Sequence, residues 1–273
     1  MKAKKILFLF FIALPVLVLG RFIQLFSLID PSTGFFLDDQ MQFNIFISIL
    51  LAVIPILFIL FSYFKNDYTE DISFRSIGFG VVSLLFGFVF LIESAYIAIS
   101  GQLFTLSNEA GYSIFSFQAL LYMLLCILSA LGFCLQAASC FGGIKKGMFL
   151  MIFPVITWIY RLISSFISFT GIANISENII EIFMLCTSLL FLLAHGKAVN
   201  NIECKKNLRM ATAFGLAAAS LCAVSTLPRY ILLIMGRTDL LHEGKSGSIL
   251  DIGLLIYAVC FLFFALKKQK SNV

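Results

Sequence analysis

The sequence predicts an all-α, polytopic transmembrane helix bundle of about eight spans. Three observations carry that expectation. Apolar residues make up 61% of the 273-residue chain and charged residues only 12%, whereas a soluble domain carries about 25% charged residues and under half apolar ones. Apolar runs of about 20 residues, enough to cross a ~30 Å hydrocarbon core, recur from one end of the chain to the other. Lysine and arginine fall between those runs in alternation, collecting on one side.

The first run, 6–29, follows Met1-Lys-Ala-Lys-Lys5, a start that a signal peptide shares. It has no small-x-small cleavage site and stays apolar beyond Arg21 to Ile29, so it reads as an uncleaved first span. Further spans are expected at 43–64, 77–100, 116–141, 149–172, 178–195, 209–235 and 249–266. Pro15, Pro55, Pro154 and Pro228 lie inside them and are expected to bend their helices, most simply as packing kinks. In the seventh span Ala211, Gly215 and Ala219 recur at helical spacing, a stripe of small residues that lets another helix approach closely. The connections are short, so the whole chain, 1–273, is expected to form one transmembrane domain.

Orientation follows from the basic residues. Lys2, Lys4, Lys5, Lys65, Arg75, Lys145, Lys146, Lys197, Lys205, Lys206, Arg209, Lys267, Lys268 and Lys270 share one side. The opposite loops hold Arg237 and Lys245 with Asp30, Asp38, Asp39, Glu109, Glu177, Asp239 and Glu243. The basic side is expected to be cytoplasmic, with both termini there, in a bacterial plasma membrane. The net charge of +5 is thus a topology signal and not a nucleic-acid footprint. The seven cysteines fall within spans or on that basic side, which argues against a disulfide framework.

Internal periodicity is the most informative pattern. Each odd-numbered span carries one ionisable residue in its outer half: Arg21, Glu93, Arg161 and Arg229. A glycine follows each at the outer end (Gly34, Gly101, Gly171, Gly236), and the returning span opens with Gln42 or Asn44, Gln118, Glu181 and Asp251. The chain therefore reads as four helical hairpins of roughly 68 residues. Pro-Val pairs before Arg21 and Arg161 hint at repeat halves, 1–143 and 144–273, with chance alignment as the competing explanation. Polar neighbours at three and four residues gather on the same faces: Gln24 and Ser27, Tyr96, Thr157, Ser164 and Ser165, Ser225 and Thr226.

A charge at the bilayer centre costs about 2.5–3.5 kcal/mol, so such residues are expected to face protein or water and to serve a function. The leading expectation is a transporter or ligand-binding membrane protein. Arg21, Arg161 and Arg229, with Glu93, Glu181, Asp251 and Trp158, would line an outward-facing pocket for a small anion. Guanidinium suits carboxylate or phosphate, and Trp158 could stack on an apolar part of the ligand. Two other readings compete. The three arginines and three acids sum to zero and could be buried ion pairs (Arg161 with Glu181, Arg229 with Asp251, Arg21 with Glu93) in a structural or assembly subunit that meets another membrane protein. The carboxylates could instead serve a lipid hydrolase as general acid and base.

Conventional enzyme signals are missing. His195 and His242 are expected on opposite sides, His195 as an interfacial residue, so no two-histidine metal site forms. The chain has no G-x-S-x-G, P-loop or C-x-x-C motif. No catalytic residue, metal or cofactor is assigned, and no nucleic acid is expected as a partner. Asn174-Ile-Ser176 matches a glycosylation acceptor by a pattern frequent in any sequence, and Asp30-Pro-Ser-Thr-Gly-Phe-Phe36 reads as an interfacial turn.

Overall fold

The computed structural model describes residues 3–30, 41–65, 76–100, 104–106, 113–142, 148–168, 175–241 and 248–271. Among them lie eight α-helices: α1 (Ala3–Ile23), α2 (Met41–Lys65), α3 (Ile77–Ile99), α4 (Phe117–Gly142), α5 (Ile152–Ser168), α6 (Ile175–Val199), α7 (Cys204–Ile234) and α8 (Ile249–Ser271). Helices α1 to α7 are long and apolar enough to cross a membrane, and the apolar part of α8, Ile249–Ala265, is 17 residues long, at the lower limit for crossing. The protein is an integral membrane protein built as an all-α bundle. Gly34, Gly101, Gly171, His242, Asn174 and the segment 31–36 lie outside the described residues.

Two details of the helices depart from expectation. Pro154 stands in the first turn of α5, after a 3-10 turn at Met148–Met151, so its missing N–H removes no interior hydrogen bond. Pro15, Pro55 and Pro228 are interior, as the sequence suggests. Beyond Ile23 the first helix widens into a π turn, Gln24–Leu28. Between α3 and α4 two short strands, β1 (Phe104–Leu106) and β2 (Ser113–Phe115), pair antiparallel with Thr105 opposite Ile114. Nothing in the apolar periodicity announces that hairpin.

The chain divides into two compact units, one of Met1–Ile72 with Leu162–Val273 and one of Ser73–Arg161. In the larger unit α7 is the hub, with α6, α8, α2 and α1 all packed along it. Its sequence explains why. In lipid the most apolar helices gain nothing by leaving the solvent, so helix contact depends on close packing of small residues. Ala211, Gly215 and Ala219 are buried, and a Cβ on Gly215 would stand 3.0 Å from the Phe191 ring of α6. In the smaller unit α3 packs along α4 through Phe86, Phe90 and Phe133, whose rings lie 4.7–5.8 Å apart. Ser129 of α4 and Thr157 of α5 share a 2.8 Å hydrogen bond. In the larger unit the hairpin pairs α1–α2 and α7–α8 pack together, and α7 also meets α6, α2 and α1 across the hairpin divisions.

Candidate functional site

The seven candidate residues divide between the units. Arg21, Glu181, Arg229 and Asp251 belong to the larger one, and Glu93, Trp158 and Arg161 to the smaller.

In the larger unit two arginines lie on helices that share apolar packing. Leu17 of α1, Leu28 of the π turn and Val224 of α7 join one buried cluster with Ile47 and Leu51 of α2. Leu25, just beyond α1, and Leu232 of α7 join another with Ile29. In sequence Arg21 lies between Leu17 and Leu25, and Arg229 between Val224 and Leu232, so both arginines stand along the stretch where α1 and α7 share apolar clusters. Arg21 is 2% exposed, Arg229 7% and Asp251, in the first turn of α8, 4%. Among the described residues these are the charged groups that are fully buried, two cations and one anion, and each of the three engages a partner.

A polar network extends from Arg21 into α2. Its Nη1 donates to Gln24 Oε1 at 3.0 Å, and Gln24 Nε2 donates to the Asn44 carbonyl at 3.2 Å and to Ser48 Oγ at 3.1 Å. Asn44 Nδ2 returns a 3.1 Å bond to the Leu28 carbonyl. The π turn accounts for this route, since widening the helix at Gln24–Leu28 changes which carbonyls it keeps for itself, and π turns concentrate at functional sites. Gln24 and Asn44 are fully buried, and Asn44 Oδ1 meets no donor among the described residues. Half-buried Glu181 of α6 accepts a 3.1 Å bond from Ser165 Oγ at the end of α5.

The smaller unit holds a different constellation. The Arg161 guanidinium lies 5.0 Å from the Trp158 ring centroid, within cation–π range. Trp158 is fully buried, with its edge toward Phe90 at 5.9 Å, and its indole N–H finds no acceptor among the described residues. Glu93 accepts from the Tyr122 hydroxyl at 3.4 Å, a long bond, and Tyr122 stacks on Tyr160 at 5.4 Å. Cys126, buried on α4, is within electrostatic reach of both Glu93 and Arg161. Glu93 and Arg161 are themselves only half-buried.

Two sequence readings need correction. Tyr96, counted with Glu93 on a polar face, is 58% exposed and points away from the packed side of α3. His195, expected at the interface near the end of its span, is fully buried in protein, enclosed by Phe191 and Phe261, with Nε2 at 2.8 Å from the Tyr257 hydroxyl of α8. Burying an imidazole requires a polar partner, and Tyr257 supplies it. Sequence reasoning also missed Ser48, Tyr122, Tyr160 and Cys126. Their neighbourhoods come from helix pairing, which no spacing along one helix reveals. Among the described residues no three His, Cys, Asp or Glu side chains gather as a metal site would need. Comparison with protein-family models, curated proteins and solved structures finds no match, so any functional reading rests on these residues.

Proposed function

We propose that the chain is a transport or ligand-binding membrane protein that takes a small anion at Arg21 and Arg229, in the half of the membrane away from the basic loops. The observation that supports it most is the burial of these two arginines on helices that pack together, α1 and α7. Like charges buried in low dielectric repel each other, and a single carboxylate, Asp251, leaves the buried set one positive charge in excess. A carboxylate or phosphate entering there would gain charge-assisted hydrogen bonds from planar donors. In this reading Gln24 orients Arg21 through their 3.0 Å bond, and Asp251 keeps the empty site stable. Glu181 completes the polar lining. Arg161, Trp158 and Glu93 form a second polar station, where the unused indole N–H offers a donor to an acceptor-rich ligand. The basic-side rule puts the termini in the cytoplasm and the arginines toward the exterior of a bacterial plasma membrane.

The test is stabilisation by anions. The melting temperature of purified protein should rise with one or more members of a panel of carboxylates and phosphates. Arg21→Gln and Arg229→Gln should each abolish that rise while the protein still inserts. The ion-pair scaffold is the second reading, because every buried charge already engages a partner. It predicts no anion-dependent shift, with Arg229→Gln and Asp251→Asn each destabilising and the double variant recovering stability.

A further inference from the structure

At the other end of α7, the turn from α6 forms the floor of an open recess of about 620 Å³, walled on one side by Tyr63 of α2. Lys205, Lys206 and Arg209 line it against one carboxylate, Glu203, so the lining carries a net charge of +2. Lys206 Nζ lies 3.1 Å from Glu203, and the Arg209 guanidinium 5.9 Å from the Tyr63 ring centroid.

The turn beneath is firmly built. Buried Asn207 donates through Nδ2 to the Ile202 carbonyl at 2.6 Å, and Asn200 donates to Gly196 at 2.8 Å. Asn201 and Glu203 take left-handed backbone conformations, φ 58° and 40°, which keep the connection short. The cations therefore stand on a fixed frame, which lowers the ordering cost of binding.

Depth selects the chemistry of the occupant. The candidate span of α2 ends at Tyr63, and Lys205, Lys206 and Arg209 stand in the first turns of α7, ahead of its apolar run, so the recess stands at the edge of the hydrocarbon layer, the level of lipid phosphates. Basic recesses between helices at that level bind anionic headgroups, each nearby cation contributing about 1 kcal/mol.

We propose that this recess binds a phosphate group, carried by an anionic phospholipid of the adjoining leaflet or by a soluble phosphate compound. The site is separate from Arg21 and Arg229 and does not rest on the reading given for them. Glu203 tempers it by holding Lys206.

Native mass spectrometry of the purified full chain, loaded from mixed micelles with phosphatidylglycerol or phosphatidylcholine, tests the lipid arm. Retention should favour phosphatidylglycerol, and K205Q/K206Q should weaken that preference by about fivefold for each cation removed. Glu203→Gln should strengthen it by freeing Lys206, a gain that a merely structural role would not give. Lys197→Gln, exposed on α6 outside the recess, should leave it unchanged. Inorganic phosphate tests the soluble arm. If it raises the melting temperature of the native chain but not of K205Q/K206Q, and displaces phosphatidylglycerol, the occupant is a soluble phosphate. If phosphatidylglycerol stays bound in its presence, the occupant is lipid. Equal retention of both lipids with no phosphate effect would overturn the proposal, as would an equal loss in Lys197→Gln.

Discussion

Arg21, Arg229 and Asp251 of the larger unit are almost wholly buried, whereas Glu93 and Arg161 of the smaller unit are half-exposed, although the sequence pattern groups all five as outer-half charges of their expected spans. Position along a helix therefore does not set the environment of a membrane charge. The helix opposite does. In the larger unit a small-residue helix, 83% buried along its most apolar stretch, draws four others around it, while 33% of the corresponding stretch of α3 is buried. A guanidinium on α7 is enclosed by protein. A carboxylate on α3 keeps one side open.

Neutralising one acid in each unit gives the largest expected difference. Asp251→Asn leaves two buried arginines with less compensation and should destabilise by about 3 kcal/mol. Glu93→Gln, half-exposed and held by a long hydrogen bond, should cost under about 1 kcal/mol. Reversible unfolding in mixed micelles reads both, and equal costs would show that enclosure is not what separates the units.

Packing offers an effect of intermediate size inside the smaller unit. A Cβ on Gly132 would stand 2.8 Å from the Leu150 carbonyl oxygen, a backbone atom that cannot swing aside. Gly132→Ala should cost about 1–3 kcal/mol. At Gly80 the nearest atoms are the outer edge of the Phe141 ring, so Gly80→Ala should be much milder in the same assay.

The smallest effect belongs to a pair outside the spans. Arg237 donates to Asp239 at 3.1 Å on an exposed turn, and that hydrogen bond holds the Asp239 carboxyl below its ordinary value. A depressed carboxyl contributes stability above its unfolded pKa and loses it as pH falls through the folded one. Acidification should therefore remove this contribution, and Arg237→Gln should flatten that part of the melting-temperature profile, by an amount kept slight by full solvent exposure.

Much of the fold was legible in the sequence because lipid imposes a simple rule. A span must be long, apolar and helical, and α1 to α7 end within a few residues of the predicted limits. The small-residue stripe of α7 was legible for the same reason. The site was less so. Arg21, Arg229 and Asp251 could be picked out because charge is costly in lipid. That α7 sits at the hub, that Gln24 turns toward Asn44 and Ser48 through a π turn, and that His195 meets Tyr257 all depend on which helices pair, and short loops leave several pairings open.

Whether Arg21 and Arg229 line a water-connected anion site can be measured directly with charged thiol reagents. In a cysteine-free background carrying Ser225→Cys, one turn from Arg229 on the same face, an anionic methanethiosulfonate should react at least about tenfold faster than a cationic one of similar size. Arg229→Gln should erase that preference. Equal rates for the two reagents, or no reaction with either, would contradict an anion site and leave the arginines as parts of a closed scaffold.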